Sequence, residues 1–285
     1  MTDTIALIGV GAMGKALLSR MRLTNKKVRA YDVSEAGREA AKANGAEVLG
    51  SAAEAARGAA YIHIFVRTDD QMIDATIGPN GVLATATPGS FLILHPTVLP
   101  ATTLRVGEAA KAKRVRVLDI PITSVPAKVQ AGEAAFLVGG EKDVADAARP
   151  YMLELGASFY HFGPLGCGNV AKLAKNYANA ASRIVLDESL RLVESIGIDP
   201  KQFLDMVRDM DQGSLVATWE KTFNIANGHA SHRPATNLFN KDLVLAAKYA
   251  ESAGLDLPVA KGAAVTGLKW AALWERQKAA RSASS

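Results

Sequence analysis

Lys172 and Asn176 stand four residues apart in the Ala-rich run GCGNVAKLAKNYANA, residues 166–180. On a helix that spacing puts both side chains on one face, about 6 Å apart along the axis. A lysine amine brought toward neutrality by burial or by neighbouring cations can give a proton to a carbonyl oxygen or take one from a hydroxyl. An amide beside it can orient that oxygen without adding charge. The plainer reading of the pair is a lysine that snorkels from a buried helix to water and an amide that bonds locally. The stripe they share with Leu173 and Tyr177 does not decide between the two, so the rest of the chain must.

A second group of residues lies at the N-terminus. TIALIGVGAMG (4–14) is an apolar run entering Gly9-x-Gly11-x-x-Gly14 and then a helical stretch. In such a turn the first glycine permits the sharp bend, the second lets backbone approach a pyrophosphate, and the third lets helix and strand pack closely. The helix N-terminus then offers oriented N–H groups to the phosphates. A second apolar run ends at Asp32, about 20 residues on, where a carboxylate accepts from ribose hydroxyls. Read blandly, the glycines make only a turn and Asp32 only caps the next helix. A carboxylate there repels a 2′-phosphate, so NAD is expected over NADP, although Arg29 and Arg38 nearby leave NADP open.

The elements that must position these groups follow from pattern. Strands are expected over 4–8, 28–31, 60–64, 91–94, 115–118, 135–138 and 158–161, alternating with helices such as 14–22, 35–43, 101–110 and 144–154. Alternation of this kind specifies a largely parallel, doubly wound Rossmann-type α/β sheet. After Gly163 the strands stop. A single helix is expected over 169–196, followed by helices over 200–209, 215–226, 238–252 and 258–276, with a frayed tail from 279. The chain is therefore read as an α/β domain over 1–163 and an all-helical domain over 164–285. Leu173, Tyr177, Ile184, Val185, Leu186, Leu190 and Val193 make the long helix apolar on several sides, which suggests burial against a second copy as a homodimer or homotetramer.

Composition sets the outer bounds. The 285 residues carry a net charge of +5, 49% are hydrophobic, and there is one cysteine, Cys167. An intramolecular disulfide is excluded, and a reducing, cytoplasmic setting is expected. No apolar run reaches the length of a membrane span, and no secretory signal is read at the N-terminus. The basic cluster KAKRVR (111–116) lacks interleaved aromatics, so it reads as a helix end running into a strand, not as a nucleic-acid patch. His161, His229 and His232 have no metal-ligand spacing, and no metal is expected. His95 reads as a satisfied strand-end histidine, Asp119 as a loop buttress, and Trp219 and Trp270 as helix core.

With these motifs in this order, the chain resembles the β-hydroxyacid dehydrogenase family, which includes 3-hydroxyisobutyrate dehydrogenase and tartronate semialdehyde reductase. The resemblance covers nearly the whole length. GVGAMG matches the family's opening Gly-x-Gly-x-Met-Gly. PTVLPATT (96–103) is similar to its Ser-Thr-Val-x-Pro segment, and DIPITSVPAKVQAGEAAFLVGG (119–140) to its substrate signature. GCGNVAKLAKN (166–176) matches Gly-x-Gly-x-x-x-Lys-x-x-Asn-Asn, and FNKDLVLA (239–246) its Lys-Asp-Leu segment.

The resemblance implies an oxidoreductase that passes hydride between NAD(P) and a small, anionic 3-hydroxy acid or its aldehyde. It implies cofactor contacts from Gly9, Gly11, Ala12, Met13, Gly14, Asp32, Val66, Arg67, Thr97 and Lys241. Thr123, Ser124, Val125, Lys175 and Asn176 would bind substrate, with Lys172, Asn176 and Thr123 catalytic. The departures concern the substrate. Thr123-Ser124-Val125 replaces Ser-Gly-Gly, and its side chains restrict backbone that glycine leaves free. Lys175 replaces the first paired asparagine, His95-Pro96 a small polar pair, and Arg67 an apolar residue. Two alternatives remain: the same fold reducing a bulkier carbonyl, and a non-catalytic dinucleotide-binding scaffold. Scaffolds and imine-reducing relatives would be expected to lack the lysine.

Overall fold

A computed structural model describes residues 4–212 and 240–282. The helix expected over 215–226, together with Trp219, His229 and His232, lies outside the described residues. The chain forms two compact units, Met1–Lys172 and Leu173–Ser285.

The first unit is built on an eight-stranded sheet. Its strands are β1 (Thr4–Ile8), β2 (Lys27–Tyr31), β3 (Glu47–Val48), β4 (Tyr61–Ile64), β5 (Phe91–Leu94), β6 (Arg116–Asp119), β7 (Ala135–Gly139) and β8 (Ser158–Gly163), in the order 3-2-1-4-5-6-7-8. All neighbours are parallel except β6 and β7, where the chain doubles back through an antiparallel bridge between Ile122 and Phe136. The central strands β1 and β5 read as nearly continuous apolar runs because helices cover both faces, and β4 does so apart from His63. Alternate residues go to opposite layers: Ile5, Leu7, Phe91 and Ile93 join one core, and Ala6, Ile8, Leu92 and Leu94 the other. The two-residue strand β3 was not expected, being too short to carry a period.

Seven helices cover the sheet: α1 (Ala12–Met21), α2 (Glu35–Ala43), α3 (Ala52–Ala56), α4 (Asp69–Ile77), α5 (Pro100–Ala112), α6 (Pro126–Gln130) and α7 (Lys142–Leu155). Their starts are set locally. Ser34, Ser51 and Thr68 each accept an amide three residues on, and Pro100 and Pro126 sit where no donor is needed. The basic cluster resolves as expected into the end of α5 and the start of β6, with the Arg116 guanidinium 3.6 Å from the centre of the Phe91 ring.

The long helix α8 (Cys167–Glu194) starts and ends two residues earlier than the reading from sequence. Its beginning belongs to the first unit and its remainder to the helical one. There it is joined by α9 (Pro200–Val207), a π-helical turn (Arg208–Gln212), α10 (Asn240–Ser252) and α11 (Pro258–Ser282). Residues 279–282 are helical, not frayed. The core of this unit includes Ile184, Leu186, Leu190, Leu204, Leu243 and Trp270. Among the described residues, no helix is long and apolar enough to cross a membrane.

Candidate active site

The loops at the carboxyl ends of β1, β2, β4, β5 and β6 collect most of the residues singled out above. In a doubly wound sheet this is the ligand-binding edge, with β1 and β4 flanking the point where strand order reverses. The three glycines after β1 differ in what demands them. Gly9 has φ +93°, and a Cβ there would lie 2.2 Å from the Phe65 carbonyl oxygen. A Cβ on Gly14 would lie 2.2 Å from the Gly9 oxygen, whereas one on Gly11 would meet nothing within 4 Å. The protein itself therefore requires Gly9 and Gly14. The space in front of Gly11, at the N-cap of α1, is open and suits a pyrophosphate.

Asp32 follows β2. Its carboxylate accepts from the Val10 amide at 2.7 Å and from the Ser34 amide and hydroxyl at 2.8 and 2.7 Å. Burial raises the Asp32 carboxyl, but these bonds and the Arg38 guanidinium outweigh it and hold it below its ordinary range. Arg38 folds back onto the carbonyls of Asp32 and Val33, both at 2.9 Å. Ala12 and Met13 open α1 in the same turn.

Val66 and Arg67 lie between β4 and α4, and Thr97 between β5 and α5. The two loops share one carboxylate. Asp69, in the first turn of α4, accepts the Leu99 amide at 3.1 Å and the Thr102 hydroxyl at 2.5 Å with the same oxygen. It thereby caps the start of α5, where Pro100 supplies no donor.

Beyond β6 the chain passes Ile122 to Thr123, Ser124 and Val125. Thr123 donates its amide to the Ala135 carbonyl at 3.0 Å. Val125 is the N-cap of α6 with φ −102°, ordinary extended backbone, and its side chain is 56% exposed. The glycine that the family carries at this position is therefore not replaced at the cost of backbone strain. Lys172 comes to this loop, its ammonium donating to the Ile122 carbonyl at 2.7 Å.

What places Lys172 there is a buried carboxylate. Asp119, fully buried, accepts the Gly166 amide at 2.8 Å and the Asn169 amide at 2.7 Å, so it closes the N-terminus of α8. Asn169 in turn accepts the Val98 amide at 3.1 Å and donates toward the Thr103 hydroxyl at 3.3 Å. Burial pushes the Asp119 carboxyl up to about 6, against the pull of those amides. Close packing finishes the joint, since a Cβ on Gly168 would lie 2.5 Å from the Asp119 carbonyl oxygen. Asp119 is a buttress, as expected. Asn169 was missed, because nothing in its spacing marks it.

The remaining candidates belong to the helical unit. Asn176 is buried and donates to Asp242 at 2.8 Å, and its own carbonyl oxygen is buried without a hydrogen-bond partner among the described residues. The Lys241 ammonium lies 3.7 Å from the other Asp242 oxygen. Asp242 thus joins the two motifs on α8 and α10, a role that the Lys-Asp spacing alone does not reveal. Lys175 is lowered by burial and by Arg183, partly offset by Asp242. Among the described residues no cluster of His, Cys, Asp and Glu could hold a metal ion.

Residues 4–163 match the family described as the NAD binding domain of 6-phosphogluconate dehydrogenase, and residues 166–281 the family described as the NAD-binding domain of NADP-dependent 3-hydroxyisobutyrate dehydrogenase. The chain belongs to the β-hydroxyacid dehydrogenase family, and the activity of that family is NAD(P)-dependent oxidoreduction. Among its relatives, 3-hydroxyisobutyrate dehydrogenase of Pseudomonas aeruginosa is 28% identical over 268 residues, spanning 91% of this chain and 89% of that protein. NAD-dependent L-serine dehydrogenase of the same organism is 26% identical over 264 residues, 90% of this chain and 88% of that one. The structure of Mycobacterium tuberculosis 3-hydroxyisobutyrate dehydrogenase with L-serine superimposes with a TM-score of 0.81 at 25% identity, covering 95% of this chain and 94% of that one.

Proposed function

We propose that the protein interconverts a small 3-hydroxy acid and its semialdehyde with NAD. A bound nicotinamide supplies or accepts the hydride. Lys172 gives a proton to the substrate oxygen in reduction and takes it back in oxidation, while Asn176 orients that oxygen. Thr123 and Ser124 hold the substrate carboxylate, and Lys175 adds positive charge for an anionic ligand. Gly9, Gly11, Ala12, Met13 and Gly14 form the pyrophosphate turn, Val66, Arg67, Thr97 and Lys241 serve the nicotinamide end, and Asp32 takes the adenosine ribose.

The observation that carries this reading is the Lys172 ammonium at 2.7 Å from the Ile122 carbonyl, beside Thr123. That bond draws the amine toward the segment proposed to hold the substrate, which supports the catalytic reading over a lysine that reaches only for water. The carboxylate of Asp32, already held by three donors, favours NAD over NADP because it repels a 2′-phosphate. Relatives named for 3-hydroxyisobutyrate and for L-serine support a three-carbon hydroxy acid core as substrate. We place the enzyme in the cytoplasm as a homodimer or homotetramer, formed through the long helix.

The test is a panel of 3-hydroxy acids, including 3-hydroxyisobutyrate and serine, with NAD and NADP, followed through the reduced-nicotinamide absorbance. NAD-linked turnover of at least one short 3-hydroxy acid is expected. Cofactor binding without turnover of any member would sink the reading in favour of a scaffold. A second reading rests on the exposed side chain of Val125, which adds apolar surface where glycine adds none. It assigns a bulkier hydroxy acid, and the same panel separates the two by chain length.

A further inference from the structure

Three aromatic side chains with polar tips are buried beneath the loops just described, and nothing in the proposed chemistry uses them. His63 on β4 lies with Nδ1 2.9 Å from His95 Nε2 and with Nε2 2.9 Å from the Tyr151 hydroxyl of α7. His95 Nδ1 lies 2.7 Å from the Ile120 carbonyl oxygen. All three residues are buried, and no charge lies within the chain they form.

The end partner fixes every proton. A carbonyl oxygen only accepts, so His95 carries its proton on Nδ1 and donates to Ile120. A neutral His95 then accepts at Nε2, which makes His63 the donor through its own Nδ1. His63 accepts at Nε2, and the Tyr151 hydroxyl donates to it. One direction runs through the whole chain, from Tyr151 to His63 to His95 to Ile120, and every donor has an acceptor. The other tautomer of His95 would set a lone pair against the Ile120 oxygen. Burial keeps the rings neutral: it carries His63 well below its ordinary range and His95 down to about 3.

His95 stands where three strand ends meet. Its main chain leads through Pro96 into Thr97. Its Nδ1 ties the residue that follows β6, two positions before the carbonyl that receives Lys172. Its ring stacks on Phe65 at 4.2 Å, and the Phe65 backbone is what Gly9 packs against. A rotation of this one ring would move the Thr97 loop, the approach to Thr123 and the floor of the glycine turn together.

We propose that His63 and Tyr151 are positioning residues that act through His95: they hold its ring in one tautomer and orientation, so that the Thr97 loop and the Ile120–Thr123 segment keep a fixed spacing around the bound dinucleotide and substrate. The chain is not a proton path to the reaction. It starts at a buried hydroxyl and ends on a carbonyl that has no proton to pass on. The inference rests on the proposed function for the identity of the ligand, but its geometry is independent of it.

The test compares His63→Leu, His63→Asn and Tyr151→Phe with a packing control from the same domain, Leu155→Ala. Nitrogen-15 spectra of labelled histidine report the tautomers, and fluorescence titration reports the NADH dissociation constant. In the wild type, both buried rings are expected to carry hydrogen on Nδ1 and to stay neutral throughout the pH range of activity. His63→Leu should weaken NADH binding by about tenfold, the scale of one lost hydrogen bond. His63→Asn keeps an N–H near the Nδ1 position and should restore most of that loss. Tyr151→Phe, which preserves the ring and its packing, covers the case in which His63→Leu does not fold, and should weaken binding by about threefold. Leu155→Ala should lower the melting temperature and leave NADH binding unchanged.

Hydrogen on Nε2 of either buried ring in the wild type overturns the inference. So does a folded His63→Leu, or in its absence Tyr151→Phe, that binds NADH as the wild type does, and so does a control that weakens binding equally. A wild type that binds no NADH overturns the dinucleotide reading as well, which distinguishes that failure from the others.

Discussion

In the proposed reaction Lys172 is the residue that moves the proton. Replacing it with alanine removes the proton donor and leaves the glycine turn and Asp32 intact. Turnover should fall by about 10²- to 10⁴-fold, the usual worth of a positioned acid–base group, while the NADH dissociation constant stays near wild type. Paired kinetics and titration check this, and a variant with normal turnover refutes the role. The proposed preference for NAD rests on Asp32. Asp32→Ser should narrow the preference for NAD over NADP by about tenfold or more, since one repulsive charge at the ribose is worth about 1.4 kcal/mol or more. An unchanged NAD-to-NADP ratio would show that the 2′ position lies away from this carboxylate. Both residues stand out as candidates in the sequence because an acid about 20 residues past a glycine turn, or a lysine and an amide on one helical stripe, is a local pattern. The stripe alone leaves the lysine's role open, and the reading of it as a proton donor comes from the family resemblance.

At the scale of elements, the turn between β1 and α1 offers a clean contrast. Gly14→Ala drives a methyl group against the Gly9 carbonyl and should destabilise the fold by about 1–3 kcal/mol. Gly11→Ala meets no protein atom, so its stability should match the wild type while dinucleotide binding is lost. Thermal melts alongside NADH titration separate the two, and equal melting losses would refute the distinction. The joint between β6 and α8 carries a pH signature. Asp119 rises from 3.8 to about 6 on folding, so the folded state holds its proton more tightly than the unfolded chain. This contribution to stability is complete below about 3.8 and lost as pH rises through about 6. The shift corresponds to roughly 3 kcal/mol. Asp119→Asn should therefore gain on the wild type as pH rises from about 4 to about 6, measured by denaturant unfolding. A pH-independent difference would mean that the amide hydrogen bonds cancel the effect of burial, and a difference of the opposite sign that they outweigh it.

At the scale of the whole molecule, the alternation of strands and helices, the change to helix after Gly163, and the one long helix were legible because each is a pattern within a window of residues. The antiparallel turn from β6 to β7 was not, since a bridge between Ile122 and Phe136 leaves no periodic trace. Nor was the chain from Tyr151 to His63 to His95, whose members lie 88 and 32 positions apart and meet only through strand order. The same holds for Asn169, which looks unremarkable until the fold brings it to Asp119 at the start of α8. The helical unit presents apolar side chains that its own core leaves uncovered, among them Val185 at 55% and Leu268 at 59% exposure. If the proposed homodimer or homotetramer forms through the long helix, Val185→Glu is expected to shift the protein toward monomer in sedimentation experiments, and a wild type that is already monomeric refutes the proposed assembly. An unaltered assembly would place the subunit contact elsewhere.

The single carboxylate oxygen of Asp69 has a mechanical meaning. By holding both the Leu99 amide and the Thr102 hydroxyl from the first turn of α4, it yokes the segment after β4 to the segment after β5. Neither can swing outward alone without stranding a donor on the other. A ligand pressing on Val66 or Arg67 would be felt at Thr97 through this shared oxygen, without passing through the sheet, and the two loops would respond as a single jaw.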